Sequence, residues 1–156
     1  MKPLHPILVH FPLALLPLSV ASDLIGRFAD VASLRDTGAW SMLAAAAGAV
    51  LTVAAGLYDM HRAPLAEDVH ARVHRHRAVG FVLLAALLGL AVWRGILLAD
   101  ARIVPMLYLD LAVLTAALAA FQGWLGGELV YRDGVFVQVD AKADADTAGG
   151  SSHEGH

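Results

Sequence analysis

Charged positions along the chain are bunched, and what separates them is long, apolar and free of period-two alternation. Twenty uncharged residues lie between Lys2 and Asp23, and 22 between Asp36 and Asp59. Another 16 separate Arg77 from Arg94, and 17 separate Asp110 from Glu128. A helix that crosses a bilayer needs about 20 predominantly apolar residues. The runs therefore predict four spans: Ile7 to about Phe28, Gly38–Tyr58, about Ala78 to Ala99, and Ile103 to about Leu125. Strands of an outer-membrane barrel would alternate, and these runs do not. Helices satisfy their own backbone amides, as hydrocarbon demands. The predicted fold is all-α, a four-transmembrane-helix bundle with short loops.

Small residues recur at four-residue spacing in the second span, at Ala44, Gly48, Thr52 and Gly56, a pattern that lets a neighbouring helix approach closely. Ala85 and Gly89 repeat it in the third. Residues 1–139 form the expected four-span domain. Ala141–His156 has no aromatic residue and no Leu, Ile or Val, so residues 140–156 are expected to be a disordered polar tail. Just before it, Leu129–Val139 carries β-branched and aromatic residues around Asp133-Gly134, a modest hairpin signal. Gly123-Trp124-Leu125-Gly126-Gly127 is expected to end the fourth helix. Ser19-Val20-Ala21 resembles a cleavage triplet, yet the single Lys and Pro6, Pro12 and Pro17 argue that the first segment is retained as a span.

Composition agrees: 58% hydrophobic and 16% charged residues set against about 25% charged in ordinary globular chains. A net charge of −3 offers no basic stripe for nucleic acid. With no cysteine, disulfides, thiolate metal sites, Fe–S clusters and covalent haem attachment are excluded. No phosphate-binding glycine loop, no HExxH and no arguable nucleophile–base pair is present, so the chain is not expected to be an enzyme on its own.

Four spans make the two ends of the bundle chemically different. One end collects His5, His10, Asp59, His61, His70, His74, His76 and Glu128; the other collects Asp23, Arg27, Arg35, Arg94, Arg102 and Asp110. Lys2, Arg62, Arg72, Arg75, Arg77, Arg132 and Lys142 belong to the histidine end, seven cations against four, so the positive-inside rule places both termini in the cytoplasm. Trp40, Trp93, Trp124, Tyr58, Tyr108 and Tyr131 fall near span ends and read as an aromatic belt.

The motif His5-Pro6-Ile7-Leu8-Val9-His10-Phe11-Pro12 resembles the opening signature of the bacterial membrane family Domain of Unknown Function 2231. Gly56-Leu57-Tyr58-Asp59, His76-Arg77-Ala78-Val79-Gly80, and Gly123–Tyr131 followed by Gly134 extend the similarity over residues 1–139. It implies a four-span bacterial inner-membrane protein of unassigned activity, in a family with some members joined to electron-transfer domains. Trp124 stands where the family commonly has His, and Asp133 where His often precedes the Gly.

Three readings of the histidines stand side by side. In the first, His10 merely satisfies itself against Asp59 or a backbone carbonyl and pins two helices. In the second, His10 and His76 are axial ligands of a haem b, with Asp59 orienting an imidazole, Gly56 and Gly80 clearing space for the macrocycle, and a redox protein as partner. In the third, His70 and His74, four apart on one helix face, hold a transition ion that His5, Asp59 or Glu128 completes. The corresponding roles are a haem-binding or redox-accessory subunit, or a small scaffold or metal-handling membrane protein. At the opposite end, Asp23 is expected to pair with Arg27 one turn along, and Asp110 with Arg94 across helices. A proton path from Asp110 to His10 finds only Thr115 and Gln122 as polar steps.

Overall fold

Four proline- and glycine-punctuated apolar segments become four long helices in the computed structural model, which describes residues 4–61 and 70–131. The first span is jointed: α1 covers His5–Leu8 and α2 covers His10–Phe28. The joint has a covalent cause. Pro12 has no amide hydrogen, so the helical bond to the Leu8 carbonyl cannot form, while Val9 N–H bonds the His5 carbonyl before the joint and Leu13 N–H bonds the Val9 carbonyl after it. Helices α3 (Ala32–Met60), α4 (His70–Ala99) and α5 (Met106–Tyr131) follow. All four spans are long and apolar enough to cross a membrane.

Each helix outruns its apolar run, because the polar residues at span ends still favour a closed backbone ladder where they leave the hydrocarbon. Two expectations are corrected here. Gly123–Gly127 does not end α5, which continues to Tyr131. For the same reason Leu129–Tyr131 is helical rather than the first arm of a hairpin; the remaining hairpin residues and the tail lie outside the described residues.

The helices pack around one core in the cyclic order α2, α3, α4, α5, with α5 returning to α2 and α1 lying on α3. The core is thin because much of it is alanine: Ala45, Ala46, Ala49, Ala91, Ala112 and Ala119 meet Leu16, Met42, Leu87, Leu90 and Leu109. Large apolar side chains point the other way, among them Ile25, Leu51, Val82, Val92, Ile96 and Leu114. Lipid tails are as apolar as leucine, so nothing drives these chains inward, and close contact between small residues does the packing instead. Gly48 illustrates this, since a methyl group there would lie in contact with Phe11 and Pro12 of the first span. The second small-residue pair behaves differently. Ala85 is exposed and Gly89 has open space beside it, so that pair faces outward and joins no helices within the chain.

Candidate functional site

Two buried polar centres occupy the bundle, one towards each end. The centre away from the histidines is an ion pair. Asp23 on α2 and Arg94 on α4 are almost wholly buried; Arg94 donates from Nε to Asp23 Oδ2 at 3.1 Å and from Nη2 to Oδ1 at 2.9 Å. Nη2 also reaches the Arg35 carbonyl at the start of α3. Beside the pair, Ser19 donates to the Gly38 carbonyl at 2.7 Å. A β-carbon on Gly38 would fall on the Asp23 carboxylate, so glycine there is what lets the ion pair press against the α3 backbone. The geometry corrects two expectations: Asp23 bonds Arg94 rather than Arg27, and Asp110, expected to take Arg94, is exposed on the outside of α5. Tyr108 is likewise no belt residue. Its side chain is wholly buried, edge-on to Trp93 with ring centres 5.6 Å apart.

At the histidine end the first turn of the chain is tied down by Asp59. Its Oδ2 accepts the backbone N–H groups of both Leu4 and His5 at 2.9 Å. These are donors that a helix start leaves without an intrahelical partner, so the last turn of α3 caps the first turn of α1. The His5 ring then lies over Gly56, where a β-carbon would come within 2.9 Å of its Nδ1. His5 Nδ1 bonds the Thr52 carbonyl at 2.9 Å. A carbonyl can only accept, so Nδ1 carries the proton, and a neutral His5 keeps its lone pair on Nε2.

The ring facing His5 is that of His76 on α4, with centres 6.1 Å apart and planes at 83°. Behind it stands Gln122 of α5. The amide Nε2 donates to the His76 carbonyl at 2.9 Å and approaches His76 Nε2 at 3.2 Å. That arrangement leaves His76 Nδ1 and Gln122 Oε1 buried without a hydrogen-bond partner among the described residues. Such orphans are expensive, about 1–3 kcal/mol each. The bond to the His76 carbonyl fixes the amide this way round, since turning it over would set Gln122 Oε1 against that carbonyl, two acceptors at 2.9 Å. The approach of Gly126, where a β-carbon would lie 3.2 Å from His76 Cε1, closes the far side of the ring.

His5, His76 and Asp59 are thus brought together, and His10 is not among them. It lies on the exposed side of α2. The reason is periodicity: five residues at about 100° each turn His10 some 140° away from His5, and one of the two must face out. The space expected to admit a macrocycle is also taken, Gly56 by the His5 ring and Gly80 by Gln122, whose Nε2 would lie 3.0 Å from a β-carbon there. A haem b held by His10 and His76 does not fit these residues. His70 and His74 are exposed at the start of α4, and among the described residues no three His, Asp or Glu side chains gather as a metal shell. Trp124, standing where the resemblance suggests a histidine, is exposed and packs on Phe121.

Sequence reasoning missed Gln122 as the residue that positions His76 and Thr52 as the acceptor for His5. A signal for Gln122 existed: Tyr108, Thr115 and Gln122 recur every seven residues, which puts them on one helix face.

Together these features define a class: a four-span helical membrane bundle with a buried ion pair towards one end and a half-buried imidazole pair towards the other. The chain belongs to the family described as predicted membrane protein, DUF2231, whose model matches residues 1–139. No curated protein and no solved structure matches it.

Proposed function

We propose that this membrane protein holds a single transition ion between His5 and His76 and serves in metal handling rather than in catalysis. The observation that carries the reading is the facing imidazole pair itself, 6.1 Å between ring centres. Two imidazoles that share one ion at about 2.0–2.1 Å per nitrogen place their centres about 6 Å apart. Three features of the surroundings support it. His5 is already fixed in the tautomer that offers Nε2. His76 Nδ1 is buried without a hydrogen-bond partner among the described residues, and Gln122 Nε2 holds the ring through the His76 carbonyl and Nε2. In this reading the protein resides in a bacterial inner membrane with both termini cytoplasmic, as the cation asymmetry of the histidine end favours.

The experiment is to purify the protein in detergent, load it with Zn(II) or copper, desalt it and measure bound metal together with a visible spectrum. One ion per chain, lost in His5→Ala and His76→Ala and kept in His10→Ala, is the expected result. Equal metal content in all four proteins would overturn the site. A Soret and an α band in material made with haem supply would instead identify a haem b protein and a redox-accessory role, with the site reorganised around the macrocycle.

A further inference from the structure

From the outward face of α5 we infer that the protein pairs with a second copy of itself, α5 against α5, through ion pairs between Asp110 of each chain and Arg102 of the other. The observation that carries this is where Asp110 stands. Leu107 and Leu114, one turn to either side, are 62% and 66% exposed, so Asp110 lies on the ridge of α5 that faces away from the bundle core. It also lies deep. Tyr108 meets Trp93, the chain neighbour of the buried Arg94. Because α5 runs inward from there, Asp110 sits about 3 Å further into the bilayer than that level. Ionisable residues in spans almost always face the bundle interior or a partner, and hydrocarbon offers a carboxylate nothing. Two cations of this end are committed elsewhere, Arg94 to Asp23 and Arg35 to Asp30.

Arg102 is the exposed cation on the connection that leads into α5. Its N–H on the Leu97 carbonyl holds its backbone level with the last turn of α4, and its long side chain can run down apolar surface with the charge at the tip. Copies of one chain insert in the same direction, so a two-fold axis along the bilayer normal sets two α5 helices parallel. Both Asp110 and both Arg102 then come to one leaflet, and the patch complements itself: Arg102 meets Asp110 of the second copy, and the reverse pair forms by symmetry. The rest of the face suits the contact. Leu107, Asp110, Leu114, Ala117, Phe121 and Trp124 recur at alternating steps of three and four and are all exposed, the spacing of a seam along which parallel helices interlock. Ala117 in its middle lets the backbones approach, which is what joins helices in lipid. The outward face of α4, by contrast, carries no charge between Arg77 and Arg94, and lipid alone satisfies it.

The chain has no cysteine, so single introduced thiols report the contact directly. In membranes under mild oxidation, Ala117→Cys is expected to give a disulfide-linked dimer, which needs Cα atoms within about 7 Å, and Ala85→Cys on α4 to give none. Light scattering in detergent should find the wild-type chain dimeric. Asp110→Asn should weaken the dimer about tenfold. Asp110→Arg should give monomers, and Asp110→Arg combined with Arg102→Asp should restore the dimer, with the helical circular dichroism of every variant unchanged. A wild-type monomer in detergent together with no Ala117→Cys dimer in membranes would overturn the pairing. Cross-linking of Ala117→Cys only to a different protein would overturn the second copy as occupant, and a dimer linked through Ala85→Cys instead would overturn the face. Survival of the dimer in Asp110→Arg would overturn the ion pair as its basis, and a double variant that stays monomeric would overturn Arg102 as the partner.

Discussion

Asp23 and Arg94 show how strictly a single residue is constrained inside this bundle. Each is almost completely removed from solvent and is satisfied chiefly by the other. Removing one partner leaves a bare charge in the core, at a cost of about 3–5 kcal/mol, whereas replacing both by apolar residues of similar volume is often neutral. Arg94→Met should therefore lower the unfolding free energy in detergent by about 3–5 kcal/mol, and Asp23→Leu combined with Arg94→Met should recover most of it. A double variant as unstable as the single one would show that the ion pair is not an independent unit. The sequence showed that both residues sit at one end of the molecule. It did not show that they meet, because the competing i,i+4 pairing of Asp23 with Arg27 is local and the true partner is 71 residues away. The same holds at the other centre. Placing His5 and His76 at one end needed only an even count of spans. Choosing His5 over His10 needed the helix phase set by Pro6, Pro12 and the Asp59 cap.

Among the helices, α4 ends in a conformation its sequence resists. Arg102 N–H bonds the Leu97 carbonyl at 2.8 Å and Ala101 N–H bonds Leu98 at 3.1 Å, the crossed pair of a Schellman cap. That cap requires a left-handed residue, and Ala101 adopts φ 51°. Glycine has no β-carbon to object, so Ala101→Gly should stabilise the protein by about 1 kcal/mol, read as a rise in unfolding temperature; a fall would contradict the cap. Two other glycines separate the faces of the helices. Gly48→Leu must push α3 off Phe11 and Pro12 and should cost about 1–3 kcal/mol. Gly89→Ala meets open space and should be neutral or stabilising by up to about 1 kcal/mol. The spacing of Ala85 and Gly89 resembles that of Gly48 and Thr52, so spacing alone could not tell an internal contact from an outward face. Hydrophobic patterning cannot supply the difference either, since core and lipid-facing positions are both apolar in this chain.

For the molecule as a whole, the runs of uncharged residues were enough to predict four membrane helices, because hydrocarbon imposes length and helicity together. Their cyclic packing and the phase of each helix about its axis came only with the structure. An even number of spans puts the start of the first helix and the end of the last on one side. With the orientation proposed from the cation count, a reporter fused after Val139 should show activity only as a cytoplasmic fusion; periplasmic activity would reverse it. The two polar centres lie towards opposite ends of this frame, and at the histidine centre His76 Nδ1 and Gln122 Oε1 are buried without partners among the described residues, as the Tyr108 hydroxyl is elsewhere in the bundle. X-ray absorption at the metal edge of the ion-loaded protein tests that centre most directly. Two imidazole nitrogens at about 1.9–2.1 Å are expected, with one lost in His76→Ala; an all-oxygen shell, or a spectrum unchanged by both His5→Ala and His76→Ala, would contradict the account.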